Sequence, residues 1–223
     1  MFPVGVEEVD GGYAVYTDDA GETLLGESFE VTSSSFAEGW EEAWREFHHG
    51  VVVGRFWVGP PWEKATDGVT PVVIDPGRAF GTGAHATTRL SLDLLQELEP
   101  SSLLDVGCGS GVLSIAAAKL GFAPIVAIDN EQDAVDIAIA NAQANGAEIV
   151  AYAADALMDE LPRADVVVAN VALDVVEALL PLLDARLAIT SGYLERDEPN
   201  ASGWRRLERR DREGWAADLY ERA

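Results

Sequence analysis

Leu103-Leu104-Asp105-Val106-Gly107-Cys108-Gly109-Ser110-Gly111, followed by Val112-Leu113-Ser114-Ile115-Ala116-Ala117-Ala118, decides how the rest of the 223-residue chain reads. An apolar run ends in an acid, passes through three glycines at alternate positions and becomes a stretch of small and apolar residues. Strand, tight turn and helix follow from that order. Glycine takes positive φ without steric cost and lets the backbone approach a ligand closely. The helix after it aims free N–H groups and the positive end of its dipole at the same point. A nucleotide-like cofactor is the natural occupant.

The dinucleotide fingerprint is G-x-G-x-x-G with an acid about 20 residues later. Here the spacing is G-x-G-x-G, and Asp105 stands two places before the first glycine. An acid at that strand end repels a pyrophosphate but suits a cationic amino-acid tail. The spacing and the acid resemble motif I of the class I methyltransferases that use S-adenosyl-L-methionine (SAM). An NAD site and a glycine turn without a ligand are the competing readings of this stretch alone.

Composition sets the bounds. Hydrophobic residues make up 48% of the chain, enough for a substantial core. No run of 18 apolar residues appears, so no transmembrane helix is expected. The start, Met1-Phe2-Pro3-Val4-Gly5-Val6-Glu7-Glu8, has neither a basic nor an apolar region of a signal peptide. Cys108 is the only cysteine, which fits a reducing cytoplasm, and within the glycine turn it reads as a small filler. The formal net charge of −24 disfavours nucleic acid and membrane surfaces and favours a basic partner, unless it only solvates the surface. A monomer without a metal site is expected.

Residues 1–68 read as a small α+β substrate-recognition region and linker. Gly12-Tyr13-Ala14-Val15-Tyr16-Thr17 alternates like a strand, Asp18-Asp19-Ala20-Gly21 is a turn, and Phe29-Glu30-Val31 is a short strand. Ser35-Phe36-Ala37-Glu38 is a capping box opening a helix. Trp40, Trp44 and Phe47 give that helix one aromatic face, read as core. Val51 to Val58 reads as one strand closed by Gly59-Pro60-Pro61-Trp62, and Glu63 to Gly68 as the linker.

Val72-Val73-Ile74-Asp75 is a further strand, and a helix runs to Leu98, capped by Thr87 or Thr88. Between them, Phe80-Gly81-Thr82-Gly83-Ala84-His85-Ala86-Thr87-Thr88 resembles the F-G-T-G-x-H-x-T-T signature of the ribosomal protein L-eleven methyltransferases (PrmA). Asp105 to Gly111 fits the D-x-G-C-G-S-G of that family, and Trp40 to Trp62 resembles its interdomain region, W-x-x-x-W-R-x-F followed by P-P-W. The resemblance runs from about Phe36 onward, with its motifs in order. Ala86 stands where the family usually has proline. The segment before Phe36 is shorter than the family's N-terminal domain, which recognises the ribosomal substrate, and the C-terminal part is shorter too.

The remaining chain alternates strands and helices. Pro124 to Asp129 is a strand, Glu131 to Asn145 a helix ended by Gly146, and Glu148 to Tyr152 a strand. Ala164 to Asn170 is nearly continuously apolar, as a buried parallel strand is. Val171 to Ala185 is a helix and Arg186 to Gly192 a strand. Glu195 to Gly203 is too short for a crossover helix, and Trp204–Arg209 and Trp215–Tyr220 pair as a hairpin around Arg212-Glu213-Gly214. This pattern specifies α/β architecture: a Rossmann-like, doubly wound, seven-stranded sheet with an antiparallel C-terminal hairpin over residues 69–223. Ligands bind such sheets at the carboxyl ends of the strands, where Gly107, Asp129, Asp155 and Asn170 all fall.

Chemistry follows from those positions. Asp129, about 20 residues past the glycine turn, is placed to accept hydrogen bonds from ribose hydroxyls. Asp155 stands where methyltransferases often put an acid near the adenine amine, or is a plain N-cap. The resemblance implies SAM contacts from Thr88, Gly107, Asp129 and Asn170, with Phe80, Thr82, His85, Asp105, Gly109, Gly111 and Asp155 completing the expected cofactor set. Asn170 matches the motif IV asparagine and is the expected catalytic residue, its amide oxygen orienting an incoming amine. Gly192 and Tyr193 are placed on the acceptor side. The implied function is SAM-dependent N-methylation of lysine or α-amines, with ribosomal protein L-eleven as substrate and S-adenosyl-L-homocysteine (SAH) as product. Another protein or a small amine as acceptor, a SAM-binding protein without turnover, and an NAD oxidoreductase remain as alternatives. A nucleic-acid base methyltransferase fits less well, because Asn170-Val171-Ala172-Leu173 lacks N-P-P-Y.

Overall fold

The computed structural model describes residues 5–9, 12–16, 49–75 and 83–223. Packing divides the chain into two units, Met1–Phe47 and His48–Ala223. In the first, β1 (Gly5–Val9) and β2 (Gly12–Tyr16) pair antiparallel, Gly5 opposite Tyr16 and Val9 opposite Gly12. β2 stands where the alternation puts a strand. The Val6-Glu7-Glu8-Val9 of β1 does not alternate and carries no strand signal of its own. The turn at 18–21, the strand at 29–31 and the capped helix with its aromatic face lie outside the described residues.

The second unit starts at His48 rather than after residue 68. Its first strands are β3 (Val51–Val53), β4 (Phe56–Gly59) and β5 (Thr70–Val73). They form a three-stranded sheet in the order β3-β4-β5. Val53, Phe56, Val58, Val72 and Ile74 are buried in the same core as the main sheet, which is why this stretch belongs to that unit. The single strand expected from Val51 to Val58 is a hairpin. Gly54, at φ +55°, turns the chain back on itself, and the side-chain oxygen of Gln96 accepts the Arg55 N–H at 2.8 Å.

The main sheet has seven strands among the described residues. They are β6 (Leu103–Val106), β7 (Ile125–Asp129), β8 (Val150–Ala153), β9 (Val166–Asn170), β10 (Leu187–Leu194), β11 (Trp204–Arg212) and β12 (Trp215–Arg222). Their order is β11-β12-β10-β9-β6-β7-β8. Strands β10, β9, β6, β7 and β8 run parallel, and β12 and β11 close the sheet antiparallel. The final hairpin turns at Glu213 and Gly214, both at positive φ (54° and 81°), as a two-residue loop requires. Its second strand, β12, therefore lies inside the sheet between β10 and β11.

Side chains along each buried strand divide between two faces. Val166 and Val168 of β9 join Leu103, Ile125, Leu187 and Ile189 on one face, under α1 (Ala86–Leu95), α2 (Val112–Leu120) and α3 (Gln132–Asn145). Val167 and Ala169 join Leu104, Val106 and Ala188 on the other, under α4 (Leu173–Leu179). α4 is shorter than the expected span to Ala185. Pro181 has no N–H and clashes with the preceding turn, so the chain tightens into a 3₁₀ turn over Leu180–Leu182. Residues 195–203 form the loop their length implies. The hairpin is fastened by three ion pairs at four-residue spacing, two to α1 and one to the turn that follows it: Arg89–Glu213 at 2.7 Å, Asp93–Arg212 at 3.2 Å and Glu97–Arg210 at 2.7 Å. No helix among the described residues is long and apolar enough to cross a membrane.

Candidate active site

The glycine turn leaves β6 and folds back on the end of β7. The N–H groups of Gly107 and Cys108 both donate to the Ile128 carbonyl, at 2.9 and 3.0 Å, and that of Gly111 to the Cys108 carbonyl at 2.8 Å. Gly107, Gly109 and Gly111 have φ of 69°, 51° and 79°, a conformation in which a side chain is strained. Space forbids one as well. A Cβ at Gly107 would sit 2.5 Å from a Val171 methyl, and one at Gly111 3.0 Å from the Ala138 methyl. Cys108 is buried, and burial and the Asp105 charge push its thiol up, so it is a filler and not a nucleophile.

Asp105 lies beneath this turn with 1% of its surface exposed. Its Oδ2 accepts from the Ser114 hydroxyl at 2.7 Å and the Ser114 N–H at 3.1 Å. It thereby satisfies one of the open donors of the α2 N-terminus, where Gly111 has no side chain to do so. Its Oδ1 is buried and has no hydrogen-bond partner among the described residues. Burial pushes the carboxyl up to about 6, against the Ser114 bonds and helped by Asp129. A buried carboxylate with one idle oxygen is a site for a cation. Ser114 has no sequence signal beyond its place in the first helical turn.

Asp129, at the end of β7, accepts the Gly109 N–H at 2.9 Å through Oδ2 and the Glu131 N–H at 3.1 Å through Oδ1. Each carboxylate oxygen retains acceptor capacity for hydroxyl groups. Asp155 caps a turn rather than a helix: its Oδ1 accepts the Leu157 N–H at 2.9 Å, and Asp159 accepts the Asp155 N–H at 2.9 Å.

The residues expected on the acceptor side fall on β9, β10 and the start of α1. His85, not Thr87 or Thr88, is the N-cap of α1. Its Nδ1 lies 2.7 Å from the Thr87 hydroxyl, and its ring stands edge-on to Trp215 at 4.9 Å. Burial and Arg89 hold the imidazole below its ordinary range, against Glu213. Thr88 is fully buried in the first helical turn, and its hydroxyl receives the Asn170 amide N–H at 3.4 Å. The Asn170 oxygen has no partner among the described residues. Phe80 and Thr82 lie outside the described residues.

Val171 joins the two halves, a role no sequence pattern marks. Its side chain lies on Gly107, its N–H donates to the Ser191 carbonyl at 3.0 Å, and its own carbonyl lies on Gly192. Gly192, at φ 104°, forms the bulge in β10 that makes this contact possible. Tyr193 is not on the acceptor side. It is 2% exposed, and its hydroxyl meets Asp218 Oδ2 at 2.9 Å and the Thr190 hydroxyl at 2.8 Å.

A nucleoside carrying a cationic amino-acid tail fits this donor set. The idle Asp105 oxygen suits the ammonium, Asp129 suits the ribose, and the glycine turn leaves room for close backbone approach.

Comparison with known proteins gives one answer. The family model described as Ribosomal protein L11 methyltransferase (PrmA) matches residues 13–217. The chain is 41% identical over 182 residues to the ribosomal protein L11 methyltransferase of Geotalea uraniireducens, covering 74% of this chain and 58% of that one. It is 35% identical over 196 residues to that of Dictyoglomus thermophilum, covering 80% and 64%. It therefore spans less than two thirds of the length of either. A crystal structure of ribosomal protein L11 methylase from Lactobacillus delbrueckii subsp. bulgaricus superimposes with a TM-score of 0.70 at 27% identity, over 78% of this chain and 98% of that one.

Proposed function

The chain belongs to the ribosomal protein L11 methyltransferase (PrmA) family, and on that premise we propose that it is a SAM-dependent N-methyltransferase acting on protein amines. The substrate is ribosomal protein L11, at lysine side chains, the α-amine or both. The observation that carries the reading is the buried Asp105 oxygen with no partner among the described residues, directly beneath a turn of three positive-φ glycines.

SAM supplies a methyl group already activated on a sulfonium, so the protein's part is binding and alignment. In this reading Asp105 faces the ammonium, Asp129 the ribose hydroxyls and Asp155 the adenine edge. The backbone of Gly107, Gly109 and Gly111 borders the tail. Thr88 holds the Asn170 amide so that its oxygen accepts an N–H from the incoming amine and aims the nitrogen lone pair. A lysine is neutral in only about one molecule in a thousand near pH 7, so its proton leaves to solvent before transfer. The N-terminal unit, Met1–Phe47, takes the substrate-recognition role and the unit His48–Ala223 the transfer. A formal charge of −24 favours a basic protein as partner. The enzyme is read as a cytoplasmic monomer.

The test is methyl transfer from labelled SAM to a ribosomal-protein extract, read by mass spectrometry of the labelled band. Label on L11 is the expected result. Cofactor binding with label on another protein or amine overturns the substrate. Failure to bind SAM or SAH overturns the activity as well.

A further inference from the structure

We propose that Asn141 is a positioning residue that holds the cofactor turn from behind. The inference rests on the cofactor reading above. Asn141 lies on α3 with 3% of its surface exposed, and its amide has one oxygen acceptor and two N–H donors. All are used. Oδ1 accepts the Asp75 N–H at 3.0 Å, and Nδ2 donates to the Asp75 carbonyl at 3.1 Å and to the Ser110 carbonyl at 2.9 Å.

One helical turn later Asn145 repeats most of this pattern. Its Oδ1 accepts the Val73 N–H at 2.9 Å, and its Nδ2 donates to the Val73 carbonyl at 2.6 Å and to the Asn141 carbonyl at 2.8 Å. Val73 and Asp75 are two apart on an extended chain, so their backbone groups point the same way. The two amides therefore pair with the edge of β5 and the chain just after it as a neighbouring strand would.

The asparagines differ in one bond. The second N–H of Asn145 stays within α3, while that of Asn141 reaches Ser110, between the Gly109 that binds Asp129 and the Gly111 that opens α2. Ala138, one turn earlier on α3, packs against Gly111. Helix α3 thus supports the turn at two adjacent points, and Asn141 fixes the Ser110 peptide by hydrogen bond. Losing that bond removes one anchor of the Ser110–Gly111 peptide, whose N–H stays on the Cys108 carbonyl, and lets the turn shift. The Gly109 N–H then loses its aim at Asp129, the residue assigned to the ribose.

Asn145 supplies the control. Asn141→Ala and Asn145→Ala each strip a part-buried strand edge of its partner, and both lower Tm. Isothermal titration with SAH, well below the Tm of either variant, separates the roles. Asn141→Ala is expected to raise the Kd at least tenfold and Asn145→Ala less than about twofold. Asn141→Asp retains the side-chain shape but sets an acceptor against the Ser110 and Asp75 carbonyls, and is expected to weaken SAH by at least as much. If Asn141→Ala does not fold, Asn141→Asp against Asn145→Asp makes the same comparison. Equal Kd values in paired variants, with wild type binding normally, overturn the proposal and leave the cofactor reading standing. A wild-type protein that does not bind SAH overturns both.

Discussion

Asp105→Asn removes a buried charge while keeping the shape of the side chain, and its effect should depend on pH in a defined way. The carboxyl is raised from 3.8 to about 6 in the ligand-free protein, which amounts to about 3 kcal/mol weighing on its ionised form. Its folded pKa lies above its unfolded one, so the folded state holds the proton more tightly. The contribution of Asp105 to stability is therefore greatest in acid, and it is lost as pH rises from the unfolded value through about 6. At pH 5 roughly half of the loss has been felt, and the other half, between about 1 and 2 kcal/mol, appears by pH 8. The asparagine has no such dependence. Its unpaired amide N–H adds a cost of about 1–3 kcal/mol at every pH, which cancels when two pH values are compared. Urea unfolding of both ligand-free proteins at pH 5 and pH 8 should show the stability of the variant, relative to wild type, rising by between about 1 and 2 kcal/mol over that interval. Parallel pH profiles would refute the assigned burial. The same carboxylate should bind the cofactor's ammonium. About a tenth of it is ionised at pH 5, so wild-type Kd for SAH should be about tenfold weaker there than at pH 8. The variant should bind weakly and without that dependence. A variant binding as tightly as wild type at pH 8 would remove Asp105 from the site.

Further outcomes test the other assignments. Asp129→Ala should weaken SAH at least about tenfold, since charged hydrogen bonds contribute about 1.5–3 kcal/mol each; unchanged affinity would sink the assigned cofactor site. Asn170→Ala should lower kcat by about a hundredfold, on the scale of losing one oriented polar group, with the Kd of SAM within a few-fold. A Kd loss exceeding the kcat loss would make Asn170 structural. Gly192→Ala should cost more than about 2 kcal/mol, because the new methyl meets the Val171 carbonyl at φ 104°. A Tm within a degree of wild type would show that the bulge relaxes freely.

The cofactor half of the fold was legible because glycine and charge leave unambiguous marks. Three glycines at alternate positions and acids at 105 and 129 marked the β6–α2–β7 unit and its candidate site, and the structure brings Gly109 and Asp129 within a hydrogen bond. The hairpin at Glu213-Gly214 was legible for the same reason. Where a single residue had to outweigh a run of apolar neighbours, the reading failed. Gly54 splits the apparent strand Val51–Val58, and Pro181 cuts short an otherwise apolar helix. Of the pair β1–β2, only β2 alternates; the signal for β1 lay in the Asp10-Gly11 dipeptide between the strands and not in its side-chain pattern. His85 as N-cap could not be foreseen, since threonine is the commoner cap and both Thr87 and Thr88 are spent inside the first turn. Partners distant in sequence left no local trace. Asn141 to Asp75, Val171 to Gly107 and Tyr193 to Asp218 become neighbours only once the sheet is closed.

The placement of β12 between β10 and β11 has a consequence for the order in which the molecule is made. Synthesis delivers β6 first, and β7, β8, β9 and β10 then follow, each able to pair with a strand already present. β11 cannot, because its neighbour in the sheet is β12, which has yet to leave the ribosome. The ion pairs of α1 and of the turn after it wait as well, since Glu213, Arg212 and Arg210 are their partners. The nascent chain thus finishes the floor on which a cofactor would rest well before the wall carrying Thr88 and His85 is locked. Until residue 222 is free, one edge of β10 stays open to any passing strand.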